Sequence, residues 1–115
     1  MRRIKTKNLV SVFQVSDIEQ SLKWYKKWLG EPDVIPMEGI AEYQISPNAW
    51  LQLSCDEENK QEKSAIVLGV EDINMTKRTL EECGVETGEI VDYEVVLIFD
   101  IFDVDGNKIT LAQEV

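Results

Sequence analysis

A strand–helix pattern occurs twice in this chain, half a chain apart. Val12-Phe13-Gln14-Val15-Ser16-Asp17-Ile18 leads into a helical stretch that ends at Gly30, and Ile66-Val67-Leu68-Gly69-Val70-Glu71-Asp72-Ile73 leads into one that ends at Gly84. Val15-x-Asp17-Ile18 returns as Val70-x-Asp72-Ile73 at an offset of 55 residues in a chain of 115. A repeat of half the length is a duplicated supersecondary unit, and each unit must bury its apolar face against the other.

The periodicities fill in the units. Asn8 to Val15 reads as a strand. Asp17 is a good N-cap with Gln20 placed for a capping box, and Ile18, Leu22, Tyr25 and Leu29 recur at helical spacing up to Gly30. Pro32 and Pro36 frame an irregular connection, and Gly39 to Ser46 with Ala49 to Ser54 forms a hairpin around Pro47-Asn48. The polar tract 55–64 is expected to link the units. The second unit then runs as a strand from Ala65 to Val70, a helix capped by Asp72 and ended by Gly84, strands over Glu89–Tyr93 and Val95–Phe102, a turn at Asp103–Asn107, and a last strand from Lys108 to Gln113. The expected architecture is α+β, with two βαβββ modules (8–54 and 65–113) in one domain. Their curved mixed sheet would enclose a cleft, with the helices packed on its outer side.

A chain of this length holds one domain with a core of its own. Its apolar fraction of 43% and charged fraction of 30% are those of a globular protein. No apolar run approaches the roughly 18 residues of a membrane span. The basic start, Arg2 to Lys7, precedes an apolar stretch that alternates like a strand, so no signal peptide and a cytoplasmic location are expected. Cys55 and Cys83 are isolated, and with no histidine in the chain neither has the base a cysteine nucleophile usually needs. The net charge of −10 is uneven: residues 1–57 carry eight acids against seven bases, residues 58–115 fourteen against five. Such a field repels nucleic acid and anionic lipid and favours cationic partners, although acidity by itself also keeps proteins soluble.

Two motifs carry a resemblance. Val15-Ser16-Asp17-Ile18-Glu19-Gln20-Ser21-Leu22-Lys23-Trp24-Tyr25, continued by Lys26-Lys27-Trp28-Leu29-Gly30, resembles the opening pattern of the vicinal oxygen chelate superfamily: an aspartate, a Ser-Leu pair, an aromatic-Tyr pair and a Leu-Gly ending. Phe102-Asp103-Val104-Asp105-Gly106-Asn107-Lys108-Ile109-Thr110-Leu111 is similar to the Asp-Pro-Asp-Gly-Asn turn that leads into that superfamily's last strand, with Val104 in place of proline. The resemblance covers nearly the whole chain. Physically, Asp-Gly-Asn supplies residues that tolerate positive φ in a tight hairpin. The spacing of Asp103, Asp105, Asn107 and Glu114 also imitates a calcium loop, but Lys108 stands where that loop needs glycine, and the following residues read as a strand.

The superfamily includes glyoxalase I, extradiol dioxygenases and bleomycin-resistance proteins. Its metal-dependent members hold a divalent ion with His and Glu from the first and fourth strands of each module. The resemblance places those positions at Val10, Gln52, Ala65 and Thr110. Val and Ala offer no lone pair, and an amide plus a hydroxyl lack the charge to hold a divalent ion, so no metal and no other cofactor are expected.

What remains is the cleft. Strand alternation puts Val10, Val12, Gln14, Trp50, Gln52, Ser54, Ala65, Val67 and Thr110 on the cleft side, with Phe13, Val15, Leu51, Leu53, Ile66, Leu68, Val70, Ile109 and Leu111 turned to the helices. Gln14, Trp50, Gln52, Asp100 and Thr110 are the candidate ligand-binding residues. Trp50 beside Gln52 suits a flat or cationic ligand, or else fills the pocket or a dimer seam. Asp100, which interrupts an apolar run, either faces solvent or meets a cationic group. Trp24 and Trp28 form one helical stripe, for intramolecular packing or a dimer interface. The resemblance is closest to the metal-free binding members, and implies a homodimer that sequesters a cationic or aromatic small molecule. The competing readings are a metal-independent lyase or isomerase using Asp100 or Glu42 as base, and a regulatory dimer with a vestigial cleft.

Overall fold

A computed structural model describes residues 3–56 and 62–115. The order is β1 (Leu9–Gln14), α1 (Ile18–Leu29), β2 (Val34–Met37), β3 (Ile40–Ser46), β4 (Ala49–Ser54), β5 (Ala65–Gly69), α2 (Ile73–Glu82), β6 (Val91–Asp92), β7 (Val96–Phe102) and β8 (Lys108–Glu114). Each half is a βαβββ module with its own four-stranded mixed sheet, ordered β1-β4-β3-β2 and β5-β8-β7-β6. The first strand of each module runs parallel to the fourth and the other pairs are antiparallel. Part of the expected linker, residues 57–61, lies outside the described residues.

Local chemistry sets these elements. The Asp17 side chain accepts from the Glu19 and Gln20 amides at 3.0 and 3.2 Å, and Asp72 accepts from Met75 N at 3.0 Å, so each helix starts on a satisfied cap. Gly30 ends α1 with φ 76°, a conformation that would strain any residue bearing a Cβ. Two expectations need correction. The connection around Pro32 and Pro36 contains strand β2, whose outermost position in the sheet tolerates the missing N–H of Pro36. Strand β6 is two residues long, shorter than Glu89–Tyr93.

The face assignment by alternation matches the burial. Phe13, Leu51, Leu53, Ile109 and Leu111 are buried on the helical side, where they join Tyr25, Tyr43, Ile73, Leu80, Phe99 and Ile101 in one apolar cluster that spans both modules. Trp24 is 9% exposed and meets Tyr25 and Trp28 edge-on at 4.7 and 5.8 Å, which rules it out as a protruding dimer anchor. Trp28 lines a shallow groove with Val70, Glu71 and Met75, so the two helices adjoin. The envelope of 42 × 42 × 25 Å is a plate about one sheet and one helix thick. Its radius of gyration of 15.0 Å exceeds the ~13 Å of a compact chain this long, as expected for modules lying side by side. Among the described residues, no helix is long and apolar enough to cross a membrane.

Candidate functional site

The sheet faces turned away from the helices carry the polar groups that neither core nor caps use. In the first module a row crosses the strands as Val12, Gln52, Glu42 and Val34; in the second, Val67, Thr110 and Asp100 form the matching row. Gln52 Nε2 donates to Glu42 Oε2 at 2.9 Å, and Thr110 Oγ1 donates to Asp100 Oδ1 at 2.6 Å. Both members of the second pair stand 58 residues after their counterparts in the first. The backbone repeats the likeness: the Asp33 amide donates to the Glu42 carbonyl and the Gly88 amide to the Asp100 carbonyl, each at 2.9 Å. A Cβ on Gly88 would stand 3.2 Å from that Asp100 oxygen, so the close approach favours glycine there.

Around each polar pair the face is open and mixes apolar side chains with Gln14, Gln44 and Ser54 on the first face and Lys108 on the second. Val10, Val12 and Val67 are 42, 41 and 68% exposed, values unusual for valines in the middle of strands. Trp50 is half-buried opposite Gln44, and Phe102 is 55% exposed opposite Lys108, so each face holds one aromatic ring two residues along the strand from the polar pair. Of the sequence candidates, Trp50 and Gln52 share the first face with Gln14, and Asp100 and Thr110 are hydrogen-bonded on the second. The sequence reading missed Phe102 by merging it with the apolar run before it. It also weighed Glu42 only as a base. The 58-residue offset from Glu42 to Asp100 was the available signal for their pairing.

Val10 and Ala65, the positions the resemblance gives for metal ligands, share a face with Gln52 and Thr110, whose direct strand partners are Val12 and Val67. Either choice leaves one amide or one hydroxyl next to a carboxylate, and among the described residues no group of three His, Cys, Asp or Glu side chains converges as metal ligands do. The donor set does not fit a divalent ion. The Asp103 turn is no calcium loop either, because Asp103 Oδ1 accepts from the Asp105 and Asn107 amides and Oδ2 from Asn107 Nδ2 and the Tyr25 hydroxyl.

No sequence-family model matches the chain, and a search of curated protein sequences finds no match. Solved structures do match. A glyoxalase/bleomycin resistance protein from Catenulispora acidiphila superimposes with a TM-score of 0.83 at 28% identity, over 94% of this chain and 98% of that one. A glyoxalase-related enzyme from Clostridium phytofermentans covers both chains completely, with a TM-score of 0.77 at 16% identity. Lactoylglutathione lyase from Agrobacterium tumefaciens gives 0.76 at 13% identity over 91% of each chain. The fold is that of the glyoxalase/bleomycin resistance/dioxygenase proteins, within the vicinal oxygen chelate superfamily.

Proposed function

We propose that this chain is a metal-free small-molecule-binding protein, active as a homodimer, whose ligand is a cationic or aromatic compound. The observation that carries the reading is the open sheet face of each module, where exposed valines and one aromatic ring surround a single hydrogen-bonded carboxylate. Apolar walls with a few placed polar groups are what a ligand site needs. Because the plate is one sheet and one helix thick, a second copy laid on this side by a twofold axis sets the first module's face against the partner's second-module face. That closes two equivalent clefts and covers valines that otherwise meet water. Trp50 and Gln52 then wall one side of a cleft, Asp100 and Thr110 the other, with Gln14 at the end of β1.

Binding is favoured over metal-independent lyase or isomerase chemistry. Such chemistry needs a base beside a second polar group that takes the developing charge. The amide or hydroxyl beside Glu42 and Asp100 already donates to the carboxylate itself, so it is not aimed at a charge developing on a bound molecule. The test is a thermal-shift titration with the cation benzamidine and its anionic counterpart benzoate, alongside sedimentation equilibrium. A dimer whose melting temperature rises with benzamidine and not with benzoate is expected. A monomer at micromolar concentration removes the dimer. A dimer indifferent to both compounds points to a vestigial cleft.

A further inference from the structure

Glu42 and Asp100 are the acidic side chains on the two open-face rows, and they occupy equivalent places in the duplication. Each has one carboxylate oxygen held by a neutral partner across the strand pair. Among the described residues, no hydrogen bond or ion pair engages the other oxygen of either. Lys108 is the one base on the second face, displaced by two residues from the Thr110 row, and it forms no ion pair with Asp100. When the clefts close, each carboxylate leaves water for walls of valine and aromatic rings, where an uncompensated charge is strongly disfavoured. One cation neutralises one of the two.

We propose that each cleft takes a ligand with two cationic groups separated by an apolar or aromatic spacer, one group for Glu42 of one protomer and one for Asp100 of its partner. This rests on the dimeric binding reading above and adds the number and placement of the charges. Gln52 and Thr110 fix the orientation of each carboxylate, so the free oxygen points to a set place and selects a limited range of spacer lengths. Val12, Val67, Trp50 and Phe102 line the space between the charges and favour a ring-bearing spacer over a hydrated one.

Isothermal titration with benzamidine and with pentamidine, which joins two benzamidine groups through a flexible chain, decides the matter. Pentamidine should bind at least about a hundredfold tighter, because its second contact is intramolecular. Glu42→Gln and Asp100→Asn should each cost pentamidine about tenfold or more, while each costs benzamidine about twofold by removing one of two equal sites. Circular dichroism and sedimentation confirm that the variants remain folded dimers. Equal affinity for the two amidines, or loss of all affinity from one substitution with none from the other, overturns the two-charge proposal while leaving a cation-binding cleft. Binding of neither amidine removes the cleft reading itself, and this proposal with it.

Discussion

Tyr25, on the helix of the first module, donates its hydroxyl to Asp103 Oδ2 in the last turn of the second module at 2.8 Å, in a buried position. The two stretches that carry the superfamily resemblance therefore touch each other. Asn107 Nδ2 donates to the Gln14 carbonyl at 3.1 Å, and Asp105 Oδ1 accepts from the Ser16 amide at 3.0 Å, so the turn grips both the end of β1 and the start of α1. The Asp-Val-Asp-Gly-Asn segment closes a hairpin and also clasps the modules together.

Disrupting that clasp should loosen the whole molecule. Asp103 accepts four hydrogen bonds, two of them from backbone amides, so Asp103→Ala leaves several buried donors unpaired and should cost about 3–5 kcal/mol. Tyr25→Phe removes one donor from an acceptor that keeps its other partners, and should cost about 1–2 kcal/mol. Urea unfolding measures both. If Asp103→Ala unfolds at the parent's midpoint, the turn does not join the modules.

Stability should fall in alkali. Burial, then the neighbouring Asp103 charge, pushes the Tyr25 hydroxyl far above its ordinary value of 10.0, and burial with Glu31 and Asp33 pushes Tyr43 up to about 12. Unfolded tyrosine ionises near 10, so above that pH the unfolded chain binds fewer protons than the folded one. Folding stability then declines by about 1.4 kcal/mol per pH unit for each tyrosine, and Tyr43's share ends near its folded value. Unfolding free energies between about pH 9 and 11 should show the slope, and Tyr43→Phe should remove part of it. A flat profile in the parent contradicts the burial of both hydroxyls.

Much of this was readable in the residues. The offset of 55 between Asp17 and Asp72 located two helix caps and hence two modules. Alternation located the buried faces because Phe13, Leu51, Leu53, Ile109 and Leu111 leave no other parity for a core. Strand β2 escaped because Pro36 argues against a strand everywhere except at a sheet edge, and being an edge is a tertiary fact. The clasp escaped because Tyr25 and Asp103 are 78 residues apart and each motif has a sufficient local explanation. The Glu42 and Asp100 rows were obscured when the offset grew from 55 to 58 residues across the β6–β7 hairpin.

That hairpin holds Glu94 at φ 74°, the one non-glycine residue with positive φ among those described. The Val95 amide donates to the Tyr93 carbonyl at 2.9 Å, closing a γ-turn around Glu94. Because glycine adopts this conformation without the Cβ penalty, Glu94→Gly should stabilise the fold by about 0.5–1 kcal/mol despite the added freedom of the unfolded chain. A thermal melt of the variant is the check, and a lowered melting temperature would show that the glutamate side chain makes a contribution larger than its strain.

Trp50 separates packing from recognition. Its ring stands on the open face opposite Gln44, half-buried and outside the apolar cluster that fills the helical side. Replacing it should therefore cost less than emptying a core position such as Leu51 or Leu53, where truncation to alanine typically costs about 2–5 kcal/mol. Trp50→Ala should lower folding stability by less than about 1.5 kcal/mol, and lower the affinity for pentamidine, which spans the cleft, by about 1–3 kcal/mol through loss of an aromatic wall. The two readouts come from urea unfolding and from titration of the same preparation. A variant that unfolds like a core truncation, or one that binds pentamidine as the parent does, assigns Trp50 to packing and moves the ligand towards Phe102 and the Asp100 side of the cleft.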